Sequence, residues 1–269
     1  MNGSPQHRRP RLTAALLAAT IGALGLTGAA LAAPAGAING TRGAGTRGGG
    51  TTGAGTTGGK LGAATSSCRD LTAPKARVHA AATGREATLA ALVAKLQARQ
   101  DPWSLNGPQI SALQAASTAI SALDAHVQST CYTTRATFRA DATPLWTNYR
   151  VYWLRVPQTH VIEAADRLAD ADAHLGTVAT KLAGHVSGNP KAQTDLAAMN
   201  AAISAAAAKI GTPPTPTPNI AAVPSLQPAV DMTADVAAME AARADLMSAR
   251  SSLEQARADG LAVLTDLGV

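Results

Sequence analysis

The feature that most constrains the fold is a long apolar repeat between residues 158 and 186. Its members alternate by four and three positions, which places them along one side of an α-helix: Val161, Ala165, Leu168, Asp172, Leu175, Ala179, Leu182 and Val186. Such spacing is typical of a helix that packs against other helices. Similar patterns before and after this repeat predict further helices, so we expect an all-α chain.

The helical patterns pair into two antiparallel hairpins. The first helix is expected over residues 72–100, with Thr72 as its N-cap, and the second follows an Asn106–Pro108 turn. The repeat described above forms the third helix, and Asn189 caps a fourth that carries Leu196, Met199, Ile203, Ala206 and Ile210. We expect these hairpins, within residues 68–210, to form an elongated bundle or coiled-coil-like domain.

The two cysteines fit the geometry of the first hairpin. Cys68 precedes the first helix and Cys131 follows the second, and these two ends lie side by side in an antiparallel pair. An even number of cysteines in an exported chain favours a disulfide. We therefore predict a Cys68–Cys131 disulfide, with a reactive thiol pair as the alternative.

The N-terminus has the three parts of an export signal. Basic residues come first, an uncharged run extends over residues 12–31, and Ala30-Leu31-Ala32 is a small-residue cleavage site. We predict a signal peptide over residues 1–32, cut after Ala32 or alternatively after Ala35; an uncleaved membrane anchor is the rival interpretation. Residues 33–67 hold twelve of the 24 glycines and are expected to be a disordered linker.

The formal net charge of +6 does not indicate a nucleic-acid-binding domain. From Leu61 onward the chain carries 17 basic and 17 acidic side chains, so the excess lies in the leader and the linker. Within the helical part, residues 68–155 carry ten basic and five acidic side chains. Residues 156–269 carry seven and twelve, and the two halves are expected to pack against each other.

The last part of the chain is a proline-rich segment and one long helix. Residues 211–228 are expected to be an extended polyproline-type spacer, and residues 229–269 a helix that packs on the bundle. This helix repeats alanine at Ala242, Ala249 and Ala256, with Leu246 and Leu253 between them. If the chain itself does not cover this apolar line, self-association through the helix is expected.

Six of the seven aromatic residues lie within positions 132–153. The segment from Leu145 to Pro157 fits either a short helix broken near Arg155 or an extended run. Its rings are interpreted as the core of the junction between the two hairpins or as a surface that binds a partner or an apolar ligand. The candidate binding residues are Trp146, Tyr149, Tyr152 and Trp153.

One helical face combines carboxylates with an imidazole. Glu163, Asp166, Asp170 and His174 recur at intervals of three and four residues, a pattern that could bind a divalent metal or act as an acid and base. An ordinary solvated face explains the same pattern. No Ser/His/Asp elbow, zinc-protease motif, paired CxxC motif or phosphate loop is present, so we expect neither catalysis nor a cofactor.

The run Tyr149-Arg150-Val151-Tyr152, followed by Pro157 and by Ala164-Ala165-Asp166, resembles a segment of uncharacterised exported helical proteins of high-GC Gram-positive bacteria. The resemblance covers about residues 137–173. It implies a secreted, extracytoplasmic helical protein and carries no known activity. We therefore expect a structural or interaction module of the cell envelope, whose partner is another envelope protein or a second copy.

Overall fold

The computed structural model describes residues 67–228 and 232–268, and this part of the chain is all-α, as predicted. The longer helices are α1 (Thr72–Gln97), α2 (Asn106–Ser129), α5 (Val156–Ala183), α6 (Pro190–Ile210) and α8 (Thr233–Asp266). The shorter elements are α3 (Arg135–Ala142), α4 (Pro144–Thr147), a π-helix (Val151–Arg155), α7 (Pro218–Ala221) and a 3-10 helix (Val223–Ser225). A hairpin of two short strands, β1 (Gly211–Thr212) and β2 (Thr215–Pro216), lies between α6 and α7.

Helices α1 and α2 form the first antiparallel hairpin, and its open end is closed by the Cys68–Cys131 disulfide, as predicted. The backbone N–H of Arg69 donates to the carbonyl oxygen of Tyr132 at 2.7 Å, beside the disulfide. The Lys75 ammonium donates to the carbonyl oxygens of Gln128 and Thr130, which caps the end of α2. This end of the hairpin is therefore held by covalent, backbone and side-chain bonds.

The expected boundaries of the first hairpin were wrong in three places. Thr72 is the first residue of α1 and not its N-cap, and its backbone N–H donates to the Asp70 carboxylate at 3.1 Å. Helix α1 ends at Gln97, and residues 106–108 form the first turn of α2 instead of a turn before it. The reason is Asp101, whose carboxylate accepts hydrogen bonds from the backbone N–H groups of Leu105 at 2.8 Å and Asn106 at 3.0 Å. A capping carboxylate satisfies N–H groups that have no partner inside the helix.

Helices α5, α6 and α8 pack together as an antiparallel three-helix bundle. The apolar repeat of α5 is buried as its spacing predicts, apart from Asp172, which is half-buried. Asn189 caps α6 as predicted, since its Oδ1 accepts from the backbone N–H of Ala192 at 3.1 Å. In α8, Leu246 and Leu253 are buried against α5 and α6, so the chain itself covers this apolar line.

Residues 211–228 do not form an extended spacer. Gly211 pairs with Pro216 across the short hairpin, and a Cβ at position 211 would collide with the carbonyl oxygen of Thr215. Ile220 and Val223 are fully buried beyond it. This segment is part of the folded chain because its apolar side chains fill space between the longer helices.

The same segment is fixed by two buried polar side chains, Arg155 and Gln158, where α5 begins. The Gln158 amide donates to the carbonyl oxygens of Val223 at 2.8 Å and Leu226 at 2.9 Å. The Arg155 guanidinium is 4% exposed and donates to Gln158 Oε1 and to Gln227 Oε1. Burial lowers the pKa of Arg155, which is why these acceptors are needed around it.

No helix in the described ranges is long and apolar enough to cross a membrane. The signal peptide or anchor expected at residues 1–32, and the linker expected up to residue 66, lie outside the described residues.

Candidate interaction surface

The junction between α4 and α5 is helical, with a break at Arg150. This residue has a left-handed backbone with φ of 40°, and the π-helix Val151–Arg155 continues directly into α5. The extended alternative was therefore wrong, and the break lies five residues before its expected place at Arg155. Pro157 does not end a segment here, because the first turn of α5 tolerates its missing N–H group.

This backbone path separates the aliphatic from the aromatic side chains. Leu145, Val151 and Leu154 are at most 1% exposed and form the core of the junction. Short π-helical segments recur at functional sites. Tyr152 and Trp153, which lie in this π-helix, are exposed.

Three of the four candidate binding residues are exposed. The exposed fractions are 48% for Trp146, 50% for Tyr152 and 66% for Trp153. The Arg85 guanidinium, from α1, lies 5.7 Å from the Trp146 ring centre and 5.5 Å from the Tyr152 ring centre. We call Arg85, Trp146, Tyr152 and Trp153 the aromatic patch. The interpretation of these rings as junction core was wrong for all three.

Arg85 holds the patch to the rest of the fold. Its Nη1 donates to the carbonyl oxygen of Ala81 at 3.0 Å, which fixes the guanidinium over the two rings. A cation stacked on exposed aromatic rings contributes about 0.5–1 kcal/mol for each contact. The arrangement therefore positions Trp146 and Tyr152 while leaving about half of each side chain accessible.

Tyr149, the fourth candidate, belongs to a different environment. It is half-buried, and its hydroxyl donates to the carbonyl oxygen of Ala119 at 3.3 Å. It lines a groove of about 500 Å³ together with Ala119, Ala122, Leu123, His126, Ala140, Asp141 and Pro144. The four candidates thus do not surround one pocket, and the ligand-carrier alternative has only Tyr149 in this groove.

The groove also contains a histidine and a carboxylate that the sequence did not bring together. His126 Nε2 lies 3.1 Å from Asp141 Oδ2, which also accepts from the Tyr132 hydroxyl at 3.0 Å. Burial, followed by this bond to Asp141, raises the pKa of Tyr132. The two residues are 15 positions apart on α2 and α3, so no local spacing indicates the pair.

The Thr130 hydroxyl, which lies near His126, is not positioned as a nucleophile for the His126–Asp141 pair. Thr130 Oγ1 lies 3.5 Å from His126 Nδ1, but it donates at 2.7 Å to the carbonyl oxygen of His126. Its proton is therefore held by the backbone and not by the imidazole. An activated nucleophile requires the opposite arrangement, in which the base accepts the hydroxyl proton.

The four side chains of α5 that the sequence offers as metal ligands differ in their burial. Glu163 and Asp166 are buried, His174 is half-buried and Asp170 is exposed. Glu163 Oε2 lies 3.4 Å from His160 Nδ1, and this interaction lowers the pKa of Glu163. In the described ranges no group of three or more histidine, cysteine or acidic residues could hold a metal ion. The metal-dependent alternative is therefore not supported.

Comparison with family models, with curated proteins and with solved structures finds no match to this chain. A fold alone does not determine a function, since one helical architecture serves many.

Proposed function

We propose that this chain is an exported, non-catalytic interaction module of the cell envelope that binds a partner macromolecule through the aromatic patch. The observation that carries the proposal is the exposure of Trp146 and Tyr152, both stacked against Arg85, together with the exposure of Trp153, which follows Tyr152 in the chain. Tryptophan, tyrosine and arginine are the residues that most often dominate the binding energy of protein interfaces.

The position of the patch supports this role. A large aromatic ring that stays exposed does not contribute the stabilisation that its burial would give. Neighbouring exposed rings on a folded surface therefore commonly mark an interaction site. Here they extend from a junction whose aliphatic residues already form a closed core, so the rings are not required to fill it. The buried Leu145, Val151 and Leu154 give the surface a rigid base, which reduces the entropy lost on binding.

An extracytoplasmic location is supported by the disulfide, because such bonds form and persist in oxidising compartments. The expected signal peptide and cleavage after Ala32 remain predictions. They are checked by the intact mass of the protein recovered outside the cells that make it.

Self-association through α8 also remains a prediction, but the residues expected to form the contact are different. Leu246 and Leu253 are covered within the chain, whereas Val236, Met247 and Leu261 are large apolar residues on α8 with exposed fractions of 40–61%. A second copy that docks on α8 would therefore contact these outer residues.

Site-specific photo-crosslinking in intact cells tests the proposed function whatever the partner is. A photoreactive phenylalanine analogue replaces Trp153, which preserves an aromatic ring at the most exposed position of the patch. The matched control places the analogue at Thr177, an exposed position on α5. We expect a discrete adduct from position 153 and not from position 177. Equal labelling at both positions, or none at 153, would contradict the proposal.

A further inference from the structure

Asp166 on α5 is buried without the partners that a carboxylate normally requires. It is 1% exposed, and neither oxygen has a hydrogen-bond partner among the described residues. Arg99, just beyond the end of α1, places its Nε 3.8 Å from Asp166 Oδ2, which is too long for a hydrogen bond. An isolated buried carboxylate is costly in its ionised form, because it exchanges water for groups that do not solvate it.

The charged groups around Asp166 come from α5 and from the turn that joins α1 to α2. Arg99 attracts the ionised carboxylate, and Asp101 in the turn repels it. From α5 itself, Asp170 and Glu163 add further repulsion. Glu163 is in turn balanced by its neighbours His160, Lys95 and Arg167. One nearby cation therefore faces three carboxylates around Asp166.

The Asp101 side chain cannot move away from Asp166 without breaking the hydrogen bonds that cap α2. Its two oxygens are the acceptors that cap α2, so its negative charge is held at the turn. Burial raises the pKa of Asp166 to about 7, with Arg99 opposing the rise. The group therefore changes charge near neutral pH, where an ordinary aspartate is fully ionised.

We propose that Asp166 is a pH-dependent latch between α5 and the turn at residues 98–105. In its neutral form the carboxyl group lets the turn pack on α5. In its ionised form the buried carboxylate lacks the water and the hydrogen-bond donors that its charge requires, and the turn moves outward to admit water against the attraction of Arg99. The disulfide closes the opposite end of the hairpin, so α1 and α2 stay paired while the turn opens.

Trp103 is a reporter built into this turn. Its ring is 2% exposed, and its Nε1 has no hydrogen-bond partner among the described residues. In the Trp146→Phe/Trp153→Phe variant, Trp103 is the remaining tryptophan. We expect its emission to be protected from acrylamide at mildly acidic pH. It should shift to longer wavelength and become quenchable, reversibly, with a midpoint near pH 7.

Four further substitutions in that background assign the transition. Asp166→Asn should keep Trp103 protected throughout, while Asp170→Asn, at an exposed neighbour, should retain the transition. Arg99→Gln should move the midpoint to higher pH, because it removes the attraction, and Asp101→Asn should move it lower. If Asp166→Asn does not fold, these opposite shifts still decide the question.

Circular dichroism at each pH shows whether the helices remain folded while Trp103 changes. Absence of a transition, or a transition that Asp166→Asn leaves unchanged, would overturn the proposal. A transition in which helix content is lost together with Trp103 protection would also overturn it, because the event would then be unfolding and not the release of a turn.

Discussion

The α1–α2 hairpin and the α5–α6–α8 bundle are both built from alanine-rich helices, yet they are stabilised differently. In the bundle, Ala249, Leu253 and Ala256 of α8 are fully buried in a repeating apolar contact. The hairpin is closed by a disulfide at one end and meets α5 through polar groups at the other, such as the Gln109 amide that donates to Thr159 Oγ1 at 3.2 Å. Both regions bury repeating apolar residues, such as Leu113 and Ile120 in the hairpin, but the hairpin is stabilised in addition by its disulfide and by these polar contacts.

The largest effect is expected where the repeating contact is interrupted. Leu253→Ala should lower the free energy of unfolding by about 2–5 kcal/mol, because it removes a fully buried side chain and leaves a cavity. The measurement is urea unfolding followed by circular dichroism. Leu261→Ala, on the same helix but 40% exposed, is the control and should change this free energy by less than about 0.5 kcal/mol. Equal losses would show that α8 does not pack as described.

Removal of the disulfide tests the hairpin in the same way. The double substitution Cys68→Ser/Cys131→Ser removes the cross-link between residues 63 positions apart. In the loop-entropy model this lowers the free energy of unfolding by at most about 4 kcal/mol. We expect hydrogen exchange to accelerate in α1 and α2 and to change little in α6 and α8. Reduction of the unmodified protein should reproduce the pattern. Uniform acceleration over all helices would contradict the separate stabilisation of the two regions.

Asp166→Asn tests the polar contact between the two regions. The pKa of Asp166 is raised from 3.8 to about 7, so the folded state holds a proton that the unfolded state has released. Its contribution to stability is fully present below about pH 4 and is lost as pH rises towards 7. The asparagine variant lacks this loss and should be more stable above neutral pH, by at most about 4 kcal/mol for three pKa units. Unfolding free energies measured across this pH range check the sign.

The smallest effect is expected at the aromatic patch. Arg85→Met keeps the aliphatic part of the side chain but removes the charge over Trp146 and Tyr152. The free energy of unfolding should fall by at most about 1 kcal/mol. Arg139→Met, at an exposed position on α3, is the control. A large loss of stability from Arg85→Met would mean that the rings belong to the core.

The features that the sequence predicts correctly are those that depend on a repeating pattern or on residues close together in the chain. The apolar repeat of α5 and the Asn189 cap are confirmed because spacing and capping depend on neighbours along the chain. The disulfide is predicted because an antiparallel hairpin brings Cys68 and Cys131 together.

The remaining features depend on contacts between distant segments or on backbone geometry that periodicity does not encode. Arg155 is buried because residues 226 and 227, more than 70 positions away, supply its acceptors. The left-handed backbone at Arg150 interrupts the helix expected over this segment, and Trp146, Tyr152 and Trp153 are exposed on either side of the break. His126 and Asp141 meet only through the packing of α3 on α2.

The exposure of the aromatic patch is tested most directly by the tryptophan fluorescence of the Trp103→Phe variant at low protein concentration. This variant retains Trp146 and Trp153, which are 48% and 66% exposed. The structure predicts emission at long wavelength that acrylamide quenches efficiently, in contrast to the protected Trp103 of the complementary variant. Short-wavelength emission that resists quenching would place both rings in the core and contradict the proposed interaction surface.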